Sequence, residues 1–327
     1  MRYLYYEDKY FNGLLNLWNE EAEIRGFYKP FTPESFRAHV INHPDFADSA
    51  SFIALDGEEV VGFVCGIVKK ADITDLSKPG YLTAILVKST HRRRGIGAKL
   101  LEMCELDLRR KGRKAIRVVF LSNMNWPWYI PDTDKHDHPG APAVPVNSPE
   151  YFFLLHHKFD VQGFCDAFHL PLDKYETPAD VYEKMKANSE KGFSIDLYDP
   201  NVHYGLDEFC ANIQNEAFER AIRYNLSLER PNPFLVVSQR GKIVGWTGAM
   251  YTEPSGRAHF DGIATDPNVR GVGLGKALFC TLCQYSKEHG SKFMTFFTGL
   301  DNLARNIYLY AGFKIVQTFA IMKKELK

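Results

Sequence analysis

Apolar and polar positions along this chain follow two rhythms, a period near two and a period near 3.6, and the same order of rhythms runs twice. In the first half Arg2–Tyr6 reads as a strand and Lys9–Arg25 has helical spacing. Thr32 caps a second helix that carries Glu34 and Ser35 in its first turn and runs to about Val40. Ser51–Leu55 and Glu59–Val68 are apolar runs split by Asp56-Gly57, a hairpin signal. Tyr81–Val87 is the next strand. A helix follows with Ile96, Leu100, Leu101, Cys104 and Leu108 on one face and Gly112 at its end, and Ala115–Leu121 is again strand-like.

The second half repeats this plan. Phe193–Leu197 is a strand, and Leu206–Tyr224 has helical spacing. Phe234–Ser238 and Lys242–Met250 flank the Gln239-Arg240-Gly241 turn, and Ala258–Thr265 is a strand. A helix places Leu274, Leu278, Leu282 and Tyr285 on one face and ends at Gly290. Phe293–Thr298, a short helix Leu303–Tyr310 ended by Gly312, and a strand Phe313–Met322 complete it. The join falls near Pro171 to Lys191, where Thr177-Pro178-Ala179-Asp180 starts a polar helix that would act as a spacer. The expected domains are residues 1–175 and 191–327, with a linker helix over 176–190.

Two features break the pattern. The first is an insertion, about residues 122–149, with no counterpart in the second half. It contains Asn123, Trp126, Trp128 and Tyr129, then Asp132, Asp134, His136, Asp137 and His138. Its polar part reads as a solvated loop in preference to a metal site. Its aromatic residues would line a substrate pocket or cover a domain interface. The second feature is a glycine turn that occurs in both halves: Arg92-Arg93-Arg94-Gly95-Ile96-Gly97 and Arg270-Gly271-Val272-Gly273-Leu274-Gly275. Each follows a strand and opens an amphipathic helix. That arrangement presents free backbone N–H groups and a helix dipole to a phosphate. A Rossmann fingerprint fails at the third glycine spacing, and a Walker A loop fails because Ala277 replaces the hydroxyl residue.

Composition narrows the picture. Hydrophobic content of 45% is enough for packed cores. Lys+Arg and Asp+Glu both number 40, so no global basic field exists for nucleic acid or an anionic membrane. No apolar run approaches the roughly 18 residues of a membrane helix, and the N-terminus is not a signal peptide. The six cysteines show no disulfide spacing, so the cytoplasm is the expected compartment, and Cys280-x-x-Cys283 sits in a helical pattern as packing.

The segment Ile263 to Gly275 resembles the acetyl-CoA-binding motif of the GNAT superfamily of N-acetyltransferases. Asp301 to Phe313 resembles that family's closing helix, Asn-x-x-Ala-x-x-x-Tyr-x-x-x-Gly-Phe, with Ala304, Tyr308, Gly312 and Phe313 in register and Asp301 in place of the asparagine, beside Asn302. Ile85 to Gly97 matches the cofactor motif as well, but in its closing helix Leu154 replaces the tyrosine and Lys158-Phe159 replaces Gly-Phe. The chain is therefore similar to a tandem GNAT protein. The resemblance implies an α/β (α+β) fold of two domains, each a mixed, largely antiparallel sheet flanked by helices.

The resemblance also implies the chemistry. Arg270, Gly271, Val272, Gly273, Leu274, Gly275 and Lys276 would hold the CoA pyrophosphate, mainly by backbone N–H groups. Ile263 and Thr265 would bond the pantetheine arm, helped by a bulge at Gly262, with Asn302 near the cofactor. Ile85, Val87, Arg92, Arg93, Arg94, Gly95, Ile96 and Gly97 are the matching set in the first half. Tyr308 would protonate the departing thiolate. Asp261, or His259 two residues away, would take the amine's proton; otherwise it leaves through water or the substrate binds already neutral. The expected activity is transfer of an acetyl group from acetyl-CoA to a primary amine of a small molecule in the C-terminal domain, with no metal, nucleic acid or membrane partner. The rivals are a non-catalytic acyl-CoA-binding protein and catalysis in the N-terminal domain.

Overall fold

The computed structural model describes residues 1–119 and 124–326. The end of the strand expected over Ala115–Leu121, the start of the insertion and its Asn123 lie outside the described residues. The chain forms two compact units, Met1–Ala167 with Phe297–Leu300 and Val316–Lys327, and Phe168–Phe296 with Asp301–Ile315. These do not follow the expected boundaries at 175 and 191. The second unit begins earlier, and the last strand of the chain returns to the first. Pairing of segments so far apart in sequence leaves no local signal.

In the first unit the elements are β1 (Arg2–Tyr5), α1 (Phe11–Arg25), α2 (Pro33–Phe36), β2 (Ala50–Asp56), β3 (Glu59–Ile67), β4 (Gly80–Val87), α3 (Ile96–Arg110), β5 (Ala115–Val118), β6 (Trp128–Tyr129), β7 (Asp137–His138), β8 (Val144–Pro145), α4 (Pro149–His156) and β9 (Asp160–Pro171), whose last residues belong to the second unit. Thr32 caps α2 in a reciprocal capping box with Ser35, as its spacing predicts. Strands β1 to β4 pair antiparallel in order. Their two faces carry separate cores: Ile53, Phe63 and Cys65 pack with Leu14 and Trp18 of α1, and Phe52, Val61 and Val64 with Leu100 and Leu108 of α3. Burial on both faces is why β2 and β3 read as continuous apolar runs. Strands β4 and β5 are parallel and, among the described residues, pair at Gly80↔Ile116 and Tyr81↔Arg117.

The insertion is a packed hairpin, which corrects the expectation of a solvated loop. Trp128 pairs with His138 and Tyr129 with Asp137. Trp128 is fully buried with Ile130, Ala167 and Phe319. Asp137 and His138 are buried too, the first paired with Lys29 and the second bonded to Gly140. Only Asp132 and Asp134 are exposed as expected. Asp137 and His138 are buried because each finds a partner, Asp137 far away in sequence and His138 within the insertion itself.

The second unit holds α5 (Ala179–Ser189), β10 (Phe193–Leu197), α6 (Leu206–Ile213), α7 (Glu216–Ser227), β11 (Leu235–Gln239), β12 (Lys242–Thr247), β13 (Tyr251–Thr252), β14 (Arg257–His259), β15 (Ile263–Thr265), α8 (Leu274–Glu288), β16 (Phe293–Gly299) and α9 (Arg305–Tyr310). The expected single helix over Leu206–Tyr224 breaks at Gln214, at φ 50°, and Asn215 caps α7 by accepting from the N–H groups of Ala217 and Phe218. Strands β10, β11, β12 and β15 form one antiparallel sheet, while β14 pairs with β13 and with β16. The expected strand Ala258–Thr265 is thus two strands on different partners, parted at Phe260–Gly262. Gly262 sits at φ 152°, where a Cβ would stand 2.5 Å from the Phe218 ring. Val181 and Met185 of α5 pack in the same core as Leu278 and Leu282 of α8, so this helix is part of the unit and not a free spacer. Cys280 and Cys283 are buried there as packing residues. The final strand, β17 (Lys314–Glu325), pairs with β5 at Met322↔Val118.

Candidate functional site

Both glycine turns take the backbone that the phosphate-cradle pattern requires. Gly95 and Gly273 are the N-caps of α3 and α8 at φ 79° and 83°, and Arg93 and Gly271 precede them at φ 62° and 88°. Neither helix start has a side-chain cap, so its first N–H groups face outward for an anion. Ile96 and Leu274 are buried anchors, which leaves them only backbone to offer. A Cβ on Gly97 would meet Phe153 at 3.3 Å, and one on Gly275 would meet Ile307 at 3.3 Å, so both helices start close against their unit's closing helix.

The turns differ in how they are fastened. In the first unit the carboxylate of Glu21 on α1 is almost fully buried and accepts from the Ser89 N–H at 2.5 Å and from the Arg92 guanidinium. Arg92 also donates through Nε to the Val87 carbonyl at 3.0 Å. Arg92 therefore ties the turn down, and Val87 has its carbonyl occupied. Arg93, with His91, His156 and His157, lines a groove of about 1080 Å³ at the turn, and Arg94 is exposed beside it. In the second unit Arg270 is exposed and has no partner among the described residues. The turn is instead held from α5, whose Asn188 side chain donates to the Val272 carbonyl at 3.1 Å, while the Lys184 stem lies 3.5 Å from a Cβ placed on Gly273. Sequence reasoning missed Asn188 and Lys184 because it treated α5 as a spacer. Ile263, Thr265, Arg270, Gly275, Asn302 and Ile307 line one groove of about 1100 Å³. Asn302 accepts from the Ala304 N–H at 3.0 Å, and the Lys276 ammonium lies 4.1 Å above the Tyr310 ring.

Tyr308 on α9 is buried in the core of the unit and does not itself line this groove, although Ile307, its neighbour in sequence, does. Its ring is 4.5 Å from Phe296 and 4.9 Å from Phe279 between centroids, and no described residue hydrogen-bonds its hydroxyl. Burial pushes the phenol up to about 12, which keeps its proton in place across the neutral range. Leu154 holds the corresponding position in the first unit. The register is secured by Lys158, at φ 68°, standing where Gly312 adopts φ 92°.

Asp261 and His259 are brought together. Asp261 accepts from the Ala249 N–H at 2.8 Å through one oxygen, and the other lies 3.2 Å from His259 Nε2. His259 Nδ1 is 3.3 Å from Glu253, which also receives Arg257, and the imidazole stacks on Tyr251. Burial opposes the imidazolium, but the Asp261 and Glu253 carboxylates outweigh it and raise the His259 pKa. Glu253, against its own burial, is held down to about 2 by His259 and Arg257. Among the described residues no cluster of His, Cys, Asp and Glu would hold a metal, and no helix is long and apolar enough to cross a membrane.

The first unit also contains an apolar cleft lined by Leu82 to Leu86 of β4 and by Val118 at the end of β5. Of the insertion's aromatic residues expected to line a pocket, Trp126 is on its wall, whereas Trp128 is packed in the core.

The acetyltransferase (GNAT) family model matches residues 12–125 and 201–313. Comparison with curated protein sequences finds no match. Among solved structures, the chain is similar to the GCN5-related glucosamine N-acetyltransferase region of a fungal multi-domain GH3 beta-N-acetylglucosaminidase, with a TM-score of 0.66 and 14% identity over 99% of this chain and 38% of that one. It thus spans well under half of that protein. A GCN5-related N-acetyltransferase from Sphaerobacter thermophilus aligns with a TM-score of 0.63 and 15% identity over 100% of this chain and 96% of that one. A tandem GNAT protein from the clavulanic acid biosynthesis pathway aligns at 0.59 and 15% identity over 100% and 98%.

Proposed function

The chain belongs to the acetyltransferase (GNAT) family, and we propose that it is an N-acetyltransferase that moves an acetyl group from acetyl-CoA to a primary amine of a small molecule in its second unit. The observation that carries this reading is the Tyr308 phenol. It is nearly buried next to Ile307, which lines the groove, holds its proton, and makes no hydrogen bond among the described residues. A hydroxyl left free in this way can donate to a ligand.

The α8 N-terminus and the turn from Arg270 to Lys276 would cradle the pyrophosphate, and the edge of β15 at Ile263 and Thr265 would align the pantetheine arm. Acetyl-CoA supplies the activated acetyl group. The amine nitrogen forms the new bond to the acetyl carbon as the carbon–sulfur bond breaks, and the Tyr308 proton passes to the departing sulfur. The burial that raises the phenol also raises a thiolate at the same place, so donor and acceptor stay matched. The amine becomes nucleophilic when its ammonium proton passes through water to Asp261, which His259 orients, and the second proton, shed from nitrogen as the amide forms, returns through water to the Tyr308 phenolate. The neutral overall charge fits a small amine better than a nucleic acid or a membrane surface. The free cysteines fit a reducing cytoplasm.

The test is Tyr308→Phe assayed on a panel of primary amines headed by glucosamine, the amine named for one structural neighbour. Turnover is expected to fall by about a hundredfold or more, with the KM for acetyl-CoA little changed. Unchanged turnover at every pH would end the acid assignment.

A further inference from the structure

We propose that the Phe218 ring is the acyl stop of the second unit, restricting its donor to CoA thioesters of short acyl groups. This rests on the reading that the thioester lies along β15 with its phosphates at the Gly273 turn. β15 is the last strand of its sheet: it pairs with β12 along one edge, and no described strand pairs the other. The open edge offers its N–H and C=O groups to the amides of a pantetheine arm. Arg270 and Gly275 line the turn end of the groove, Thr265 and Ile263 its length, and Phe218 reaches into it from α7. Phosphates at the α8 N-terminus therefore leave the acyl end at Gly262, three residues from Thr265 and about 10 Å further along the strand at roughly 3.3 Å per residue.

Phe218 stands at that point. Its ring lies 2.5 Å from where a Cβ on Gly262 would be, so it closes over the bare backbone at which β14 and β15 part. Neither side is free to withdraw. Thr247, fully buried, donates to the Gly262 carbonyl at 2.9 Å, and the Asp261 N–H donates to the Gly248 carbonyl at 2.9 Å. On the other side Phe218 is in the first turn of α7, where the Asn215 side chain accepts from its N–H at 3.1 Å. Its ring packs 5.4 Å from the buried Trp246, and Ile222 anchors the next turn in the same core. An acetyl methyl can rest against such a ring, whereas a longer chain must displace it. Asp261 is the neighbour of Gly262 in sequence, so a chain stopped here leaves its thioester beside the proposed proton acceptor.

The experiment is calorimetric titration of the full chain carrying Gly95→Glu, which silences the first turn, with CoA, acetyl-CoA and hexanoyl-CoA. With Phe218 in place acetyl-CoA should bind at least about tenfold more tightly than hexanoyl-CoA. Phe218→Ala, added to that chain, removes the ring and should reverse the order, since each methylene that can then be buried strengthens binding by up to about fourfold before chain ordering subtracts. Melting temperature checks the fold. If the alanine variant does not fold, Phe218→Leu, a milder truncation, should narrow the gap in the same direction. Equal affinity for acetyl-CoA and hexanoyl-CoA with Phe218 in place overturns the stop and leaves the second unit standing as a CoA site. An order that the Phe218 variants leave unchanged overturns it as well. No binding of any of the three ligands overturns the second unit as a CoA site and the proposal with it.

Discussion

The two glycine turns share a backbone and are held by different means. In the first unit Glu21 reaches in from α1 and captures Arg92 and the Ser89 N–H. In the second Asn188 reaches in from α5 and captures the Val272 carbonyl, while Arg270 stays exposed. The closing helices diverge in the same way. Tyr308 sits among aromatic rings, and Leu154 lines an apolar cleft. A cradle conformation can thus be kept while the groups that would use its ligand change. Possession of the motif does not by itself decide which unit performs the reaction.

The sharpest way to break this comparison is to damage each turn alone. Gly273→Glu should lower kcat/KM for acetyl-CoA by about a hundredfold or more, since a side chain at a left-handed position costs about 1–2 kcal/mol and the new carboxylate faces the phosphates. Gly95→Glu should leave turnover within about twofold, because the proposed chemistry uses the groups of the second unit. The reverse result would move the chemistry to the first unit.

Next in size is the pair of matched arginines. Arg92→Ala strips the principal cation from a buried carboxylate and should destabilise the protein by about 3 kcal/mol in urea unfolding. Arg270→Ala breaks no hydrogen bond or ion pair among the described residues and should stay within about 0.5 kcal/mol. Equal effects would mean that the Glu21 contact does not fasten the first turn.

These differences mark how far the sequence could be read. The turns were legible because a left-handed backbone before a helix demands glycine locally, and Gly95, Gly271 and Gly273 meet that demand. Arg93 takes the same conformation with no such signal. The strands were legible from their apolar runs, but not the split at Gly262, which depends on β14 and β15 choosing different partners. The return of β17 to β5 was hidden because the pairing joins the end of the chain to residue 118. Asp137 and His138 looked solvated because Lys29, which compensates Asp137, lies far away in sequence.

A smaller effect concerns the His259 cluster, which the first unit lacks at the matching point of β4. The imidazolium is favoured by folding, so its contribution is complete below the ordinary histidine value of about 6.5 and is lost as the pH rises through the higher folded value. Glu253, held near 2, works in the opposite direction: its contribution is present above the usual carboxylate range and fades only as the pH falls toward that value. Stability should therefore decline across the neutral range on the alkaline side. His259→Gln should flatten that decline and cost about 1–2 kcal/mol on its acidic side. A decline that persists unchanged in the variant would assign it to another group.

The mildest test asks whether α5 is a spacer or part of the second cradle. Asn188→Ala removes one hydrogen bond to the Val272 carbonyl and leaves the helix otherwise intact. That bond is worth about 1 kcal/mol, so acetyl-CoA binding should weaken by about fivefold. Tyr182→Ala, on the same helix and 57% exposed, should leave binding unchanged. If both variants bind alike, α5 merely packs beside the turn. If only Asn188→Ala weakens binding, the second turn depends on α5 as the first depends on α1, and the same backbone has been fastened in two ways within one chain.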